Sequence, residues 1–192
     1  MPDFVVKPLD SSTWEAFAAL VEKHNGIWGG CWCMGFHEDP KKNPRPAEEK
    51  KCLKECRVRE GRAHAALVFE GDVCVGWCQF GSAEELPRVK WEKDYLDGFE
   101  RLPDWRITCF FVDSKRRGQG VASRALDGAL QMIGEAGGGI VEACPEIGSR
   151  DTFHIRYAYH GSVEMFERRG FERARPLGKV SWLMTKTVEL LA

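Results

Sequence analysis

Short apolar runs at the two ends of this chain bracket segments in which apolar residues recur at helical spacing. Phe4 to Leu9 has strand character, and Ser11-Ser12-Thr13 offers N-cap hydroxyls before Trp14, Phe17, Ala18 and Val21, which share one helical face. Between Asn25 and Pro46 the pattern breaks into glycines, aromatics and the segment Lys41-Lys42-Asn43-Pro44-Arg45-Pro46, which predicts a long loop. Ala47 to Arg59 has a helical composition. Ala65 to Phe69 and Val73 to Trp77 then flank Glu70-Gly71-Asp72, the signature of a tight hairpin.

Ser82 to Asp104 is a second irregular stretch, charged and carrying Pro87, Gly98 and Pro103, and an insertion of that length in a compact domain suits a lid or a wall over a site. Arg106 to Val112 is β-rich. Val121, Ala122, Ala125, Leu126, Ala129, Leu130 and Ile133 make a helical stripe that ends before Gly137-Gly138-Gly139, and Ile140 to Cys144 resumes as a buried strand. A short helix around Ser162 to Arg169, a stop at Gly170-Phe171 and a final β-like run from Val180 to Val188 complete the chain. No internal repeat or low-complexity tract interrupts this order.

Composition narrows the picture. A length of 192 residues suits one compact domain spanning 1–192, and a formal net charge of −1 leaves no excess to attract a polyanion or an anionic membrane. Neither nucleic acid nor membrane is an expected partner. Met1 to Val6 lacks a cationic region followed by an apolar stretch, and no apolar run approaches bilayer length, so a cytoplasmic location is expected. The 8 cysteines are then read as free thiols, because a chain of this size buries a core without covalent staples.

The most informative residues are Arg117-Gly118-Gln119-Gly120-Val121-Ala122, between a predicted strand and a helix whose first-turn N–H groups lack intrahelical partners. Gly118 and Gly120 let backbone approach phosphate, the helix dipole favours negative charge, and Arg117 adds a charge-assisted hydrogen bond. A diphosphate fits such a site. No Gly-Lys-Ser/Thr follows, so it is not a P-loop, and the third glycine of a dinucleotide fingerprint is missing.

This segment resembles the pyrophosphate motif of the GNAT acetyltransferase superfamily, Gln/Arg-x-x-Gly-x-Gly/Ala, matched by Arg117, Gly120 and Ala122. Val112-Asp113-Ser114-Lys115-Arg116 looks like the linker that precedes it. Val163 to Phe171 is similar to the later helix that commonly ends in Tyr-x-x-x-Gly-Phe, with Phe166 in place of the tyrosine. The resemblance implies an α/β (α+β) GNAT fold: a mixed, mostly antiparallel central sheet flanked by helices and splayed between its two central parallel strands. It implies acetyl-CoA as co-substrate, no metal, and a pantetheine arm lying in the opening against backbone of Phe110 and Val112, with Arg117, Gly118, Gln119, Gly120, Val121 and Ala122 on the pyrophosphate. The reaction implied is direct attack on the thioester by a primary amine of a small molecule or peptide. A homodimer through the final strand is left open.

Transfer needs a neutral amine, so a primary amine of pKa ~10 must shed a proton to a positioned base or water chain. Glu142 is the candidate base, since a carboxylate within Ile140-Val141-Glu142-Ala143-Cys144 sits where apolar side chains belong; a buried ion pair is the competing reading. With Phe166 in the tyrosine's place, the acid falls to Tyr157, Tyr159 or His160, with Tyr159 chosen for proximity, or is dispensable because a thiolate leaves readily. Trp28, Trp32 and Phe36 either line the acceptor pocket or anchor the long loop.

The cysteines open further readings. Cys31, Cys33, Cys52 and Cys56 would make a four-thiolate zinc site of unfamiliar spacing, giving a zinc-stabilised interaction domain, with buried thiols the simpler reading. Cys144, near the opening, raises a ping-pong acyl-cysteine as the lesser alternative to direct attack. A non-catalytic acyl-CoA sensor is the remaining alternative, motivated by Phe166.

Overall fold

In a computed structural model, which describes residues 3–38, 45–98, 100–147 and 159–191, the chain folds around one seven-stranded sheet. The strands are β1 (Phe4–Pro8), β2 (His64–Glu70), β3 (Val73–Ser82), β4 (Trp105–Val112), β5 (Gly139–Ala143), β6 (Glu172–Leu177) and β7 (Ser181–Val188), in the order β1-β2-β3-β4-β5-β7-β6. Every neighbouring pair is antiparallel except β4 and β5, which run parallel. A mixed, mostly antiparallel sheet is therefore the observed fold.

Helices α1 (Trp14–Lys23) and α2 (Ala47–Arg59) cover one face of the β1–β4 half, where Phe17, Val21, Val58, Leu67 and Trp77 share a core. Helix α4 (Val121–Glu135) and the short α5 (Val163–Glu167) cover the other face, and the stripe predicted from Val121 to Ile133 packs there against Ala66, Val68 and Val141. Phe166 is fully buried in this second core, edge-on to Phe110 and Phe171. A third, small cluster joins Leu177 and Leu183 to Tyr95, which α3 (Glu92–Leu96) supplies from within the 82–104 stretch, with Val89 and Cys144 packed against it.

Two details differ from the sequence-based expectation. Thr13 occupies the N-cap of α1 without capping it; its hydroxyl donates to the Pro8 carbonyl (2.7 Å), and Asp10 instead receives the Ser12 and Thr13 amides. The aspartate makes an Asx turn that sets the helix start. Strand β6 was not predicted, because Glu-Arg-Ala-Arg-Pro-Leu is polar and holds a proline, a composition that only a solvent-facing edge strand tolerates.

Candidate active site

The gap between β4 and β5 organises the site. The two strands pair only from Trp105 to Ile107, against Val141 to Ala143. On its other edge β4 slips register: Ile107 faces Phe80 and Cys109 faces Gln79, so Thr108 is an extra residue, a bulge that bends the strand where it leaves β5. Beyond it the Phe110 N–H donates to the Tyr159 carbonyl (2.6 Å), while the Asp113 N–H returns to Val75 of β3 (2.9 Å). By strand alternation the Val112 amide faces the same side as that of Phe110. A ligand taking the Phe110 amide must therefore displace Tyr159 from it.

At the C-terminal end of β4 the chain makes a short 3₁₀ turn, Ser114–Arg116, started by Asp113, whose carboxylate receives the Lys115 amide (2.9 Å). Gly118 and Gly120 follow with φ of 75° and 84°, a region strained for any other residue, and a Cβ at either position would meet nothing within 4 Å. Gly120 is the N-cap of α4. No side chain caps that helix and no acidic residue stands in its first turn. Arg116 is held by Glu70, whereas Arg117 is exposed. The result is an uncapped helix N-terminus opening onto free space beside an arginine, which fits a diphosphate.

The other end of the gap is built from buried side chains. Glu142 is 8% exposed; its Oε2 receives the Tyr95 hydroxyl (2.9 Å) and lies 3.9 Å from Arg106 Nε. Arg106 in turn donates to the Leu86 carbonyl (2.8 Å) and to the Tyr95 oxygen (3.0 Å). Burial pushes the Glu142 carboxyl above its usual range, opposed by the Tyr95 hydrogen bond and the Arg106 charge. Glu142 lines both a small cavity at the bulge and a broad open cavity of about 600 Å³ bordered by Tyr95, Arg175 and Lys186.

Tyr159 lies 5.8 Å from Trp28, 6.4 Å from Phe36 and 4.4 Å from His160 between ring centroids. Trp28 is exposed and Phe36 borders the cavity. Trp32 does not join them: it is 4% exposed, stacked on Trp14 and edge-on to Phe17, because its loop folds back onto α1. There it packs the loop onto α1, away from Trp28 and Phe36. Tyr157 lies outside the described residues.

The cysteines do not gather. Cys33 is buried and hydrogen-bonded to Cys109, Cys31 is half-buried, and Cys52 and Cys56 are exposed on α2. Among the described residues no group of three or more His, Cys, Asp or Glu is arranged to hold a metal ion. Burial pushes the Cys144 thiol up to about 12, which keeps it protonated and a poor acyl acceptor at neutral pH.

Tyr95 and Lys90 escaped the sequence reading, since both come from the irregular 82–104 stretch. Arg106 carried a legible signal, a charge at the head of an apolar strand run, and the register sets it beside Glu142.

A mixed sheet splayed between its parallel strands, with an uncapped helix start at the wide end of the splay, is the architecture of an acetyl-transfer fold. The chain belongs to the acetyltransferase (GNAT) family, whose model matches residues 31–171. No curated protein sequence matches it. Among solved structures it is similar to an N-acetyltransferase from Staphylococcus aureus Mu50, at 14% identity and a TM-score of 0.53, covering 98% of this chain and 99% of that one. It is also similar to yncA from Salmonella typhimurium, whose structure holds its cofactor acetyl-CoA (12% identity, TM-score 0.54, 98% and 96% covered). A third is the ribosomal-protein-S18-alanine N-acetyltransferase from Escherichia coli (9% identity, TM-score 0.51, 99% and 97% covered). At these identities the likeness is one of fold. Among the described residues no helix is long and apolar enough to cross a membrane.

Proposed function

We propose that this chain is an acetyl-CoA-dependent N-acetyltransferase that moves the acetyl group to a primary amine of a small molecule or peptide by direct attack. The observation that carries the reading is the uncapped start of α4 at the wide end of the β4–β5 gap, with Gly118 and Gly120 in conformations reserved for glycine and open space before them. Arg117 and backbone from Gly118 to Ala122 hold the diphosphate, and the edge of β4 at Phe110 and Val112 receives the pantetheine amides. The thioester then reaches the bulge at Thr108, where backbone N–H groups stabilise the developing oxyanion.

Trp28 and Phe36 border the acceptor's approach. Glu142 supplies negative charge beside the amine, and Tyr159 donates a proton to the departing thiolate; burial raises the phenol's pKa and keeps that proton in place. The high thiol pKa of Cys144 favours direct attack over an acyl-cysteine.

A panel of amines and peptides, assayed for acetyl-CoA-dependent release of free thiol, tests the proposal. Turnover with at least one primary amine is expected. The alternative, an acyl-CoA sensor, draws on Phe166, which is buried among aromatic rings and brings no hydroxyl to the gap. Tight acetyl-CoA binding without thiol release across the whole panel would establish it instead.

A further inference from the structure

The small cavity at the narrow end of the gap has an unusual lining. Among the described residues, Arg106 Nε, Thr108 Oγ1 and His160 Nε2 are each buried without a hydrogen-bond partner, and all belong to residues that border this cavity. Buried polar atoms without a hydrogen-bond partner are uncommon, and three from residues that line one cavity of about 20 Å³ mark it as a place for a single small polar group. Their residues are 4%, 6% and 4% exposed, respectively, which removes bulk water as the ready alternative.

His160 is the member able to do acid–base chemistry. Its ring donates a hydrogen bond to the Thr108 backbone, and because Nε2 has no partner, the donor is Nδ1. That bond fixes the tautomer and leaves the Nε2 lone pair as the free site. Glu142, by contrast, already uses its Oε2 to receive the Tyr95 hydroxyl.

We propose that His160 Nε2 is the general base that takes the proton from the acceptor's ammonium in this cavity. The inference rests on the acetyltransferase reading and deepens it. The imidazole accepts one proton from R–NH₃⁺; the freed nitrogen lone pair forms the C–N bond as the thioester carbonyl becomes an oxyanion. Loss of the second N–H proton to water and collapse of the oxyanion break the C–S bond, and the imidazolium proton passes through Tyr159 or water to the thiolate. One ammonium ion and one thioester give one amide, one thiol and one released proton.

The charges facing the imidazole are mixed. Arg88, Lys90 and Arg106 contribute positive charge from the 82–104 stretch and β4, Glu142 contributes negative charge from β5, and Glu146 pairs with Lys90. Burial first, then Lys90, depresses His160 to about 3, so the unliganded ring is neutral across physiological pH. The same burial that makes the ring a weak base also lowers the pKa of an ammonium entering the cavity from its usual ~10, and that narrowing of the pKa difference is what lets the ring accept the proton.

Two measurements test this. Nitrogen-15 NMR of the unliganded protein at pH 6 should show His160 as the neutral Nδ1–H tautomer; an Nε2–H tautomer or an imidazolium would overturn the proposal, whatever the enzyme's substrate. In the amine assay, His160→Gln should lower kcat/KM on the order of 100-fold at pH 7. The variant's kcat/KM should also rise about tenfold per pH unit towards the amine's pKa, where the wild type stays nearly flat, because only pre-deprotonated amine reacts. Its acetyl-CoA-induced rise in melting temperature should persist. A His160→Gln profile parallel to wild type overturns this proposal alone, whereas a wild type that binds acetyl-CoA and acetylates nothing removes the parent reading and this one together.

Discussion

The two ends of the β4–β5 gap are built on opposite principles. The wide end is a backbone device: a turn from Asp113 to Gly120, exposed from Arg117 onward, and an uncapped helix start, all contiguous in sequence. The narrow end is a side-chain device, assembled from Phe36, the 82–104 stretch, Arg106 and Thr108 of β4, Glu142 of β5 and the Tyr159–His160 pair. One presents N–H groups to open space. The other works with buried charges whose partners come from far along the chain, so it carries more of the fold's stability and more of its sensitivity to pH.

Breaking the narrow end should therefore have the largest effect on stability. Glu142→Ala leaves the Arg106 guanidinium buried without its carboxylate partner, a change of about 3 kcal/mol in unfolding free energy by urea titration. Acetyl-CoA binding at the wide end should survive in whatever fraction folds. A stable variant that has lost acetyl-CoA binding would show that the two ends are not separable.

Acid should reach the narrow end next. Burial depresses His37 to about 2 and His160 to about 3, below the 6.5 expected of the unfolded chain. Between those values and pH 6.5 the unfolded chain binds protons that the folded chain refuses, so these groups stabilise the fold fully above pH 6.5 and progressively less as pH falls. The loss is ~1.4 kcal/mol per pH unit for each histidine. Urea midpoints between pH 6.5 and 4.5 should fall less steeply in His160→Gln than in wild type; equal slopes would mean that His160 is not held neutral.

At the wide end Arg117→Ala should weaken acetyl-CoA binding about tenfold by calorimetry and leave unfolding nearly unchanged, since the side chain is exposed. The smallest effect belongs to Cys52→Ser with Cys56→Ser, both exposed on α2, which should stay within about 0.5 kcal/mol of wild type with or without a chelator.

The same contrast explains what was legible in the sequence. Helical stripes and apolar runs announced α4, β4, β5 and β7, because each owes its pattern to one continuous core face. The loop from Arg117 to Ala122 was readable because glycines report backbone conformation directly. β6 and α3 were not, since an edge strand and a single-turn helix bury too little to leave a periodicity. The tie between Glu142, Tyr95 and Arg106 spans three segments, and only Glu142 stood out, as a carboxylate in an apolar run. Trp28, Trp32 and Phe36 look alike in a glycine-rich loop, yet the folding back of that loop buries Trp32 and leaves Trp28 exposed.

The central claim is that the α4 N-terminus holds the donor's diphosphate. Thermal unfolding with and without saturating acetyl-CoA, for wild type and Gly120→Glu, tests it most directly: the account predicts a clear rise in Tm for wild type and none for the variant, which sets bulk and negative charge where the phosphates sit. A wild-type Tm that acetyl-CoA leaves unmoved, or an equal rise in the variant, would contradict it.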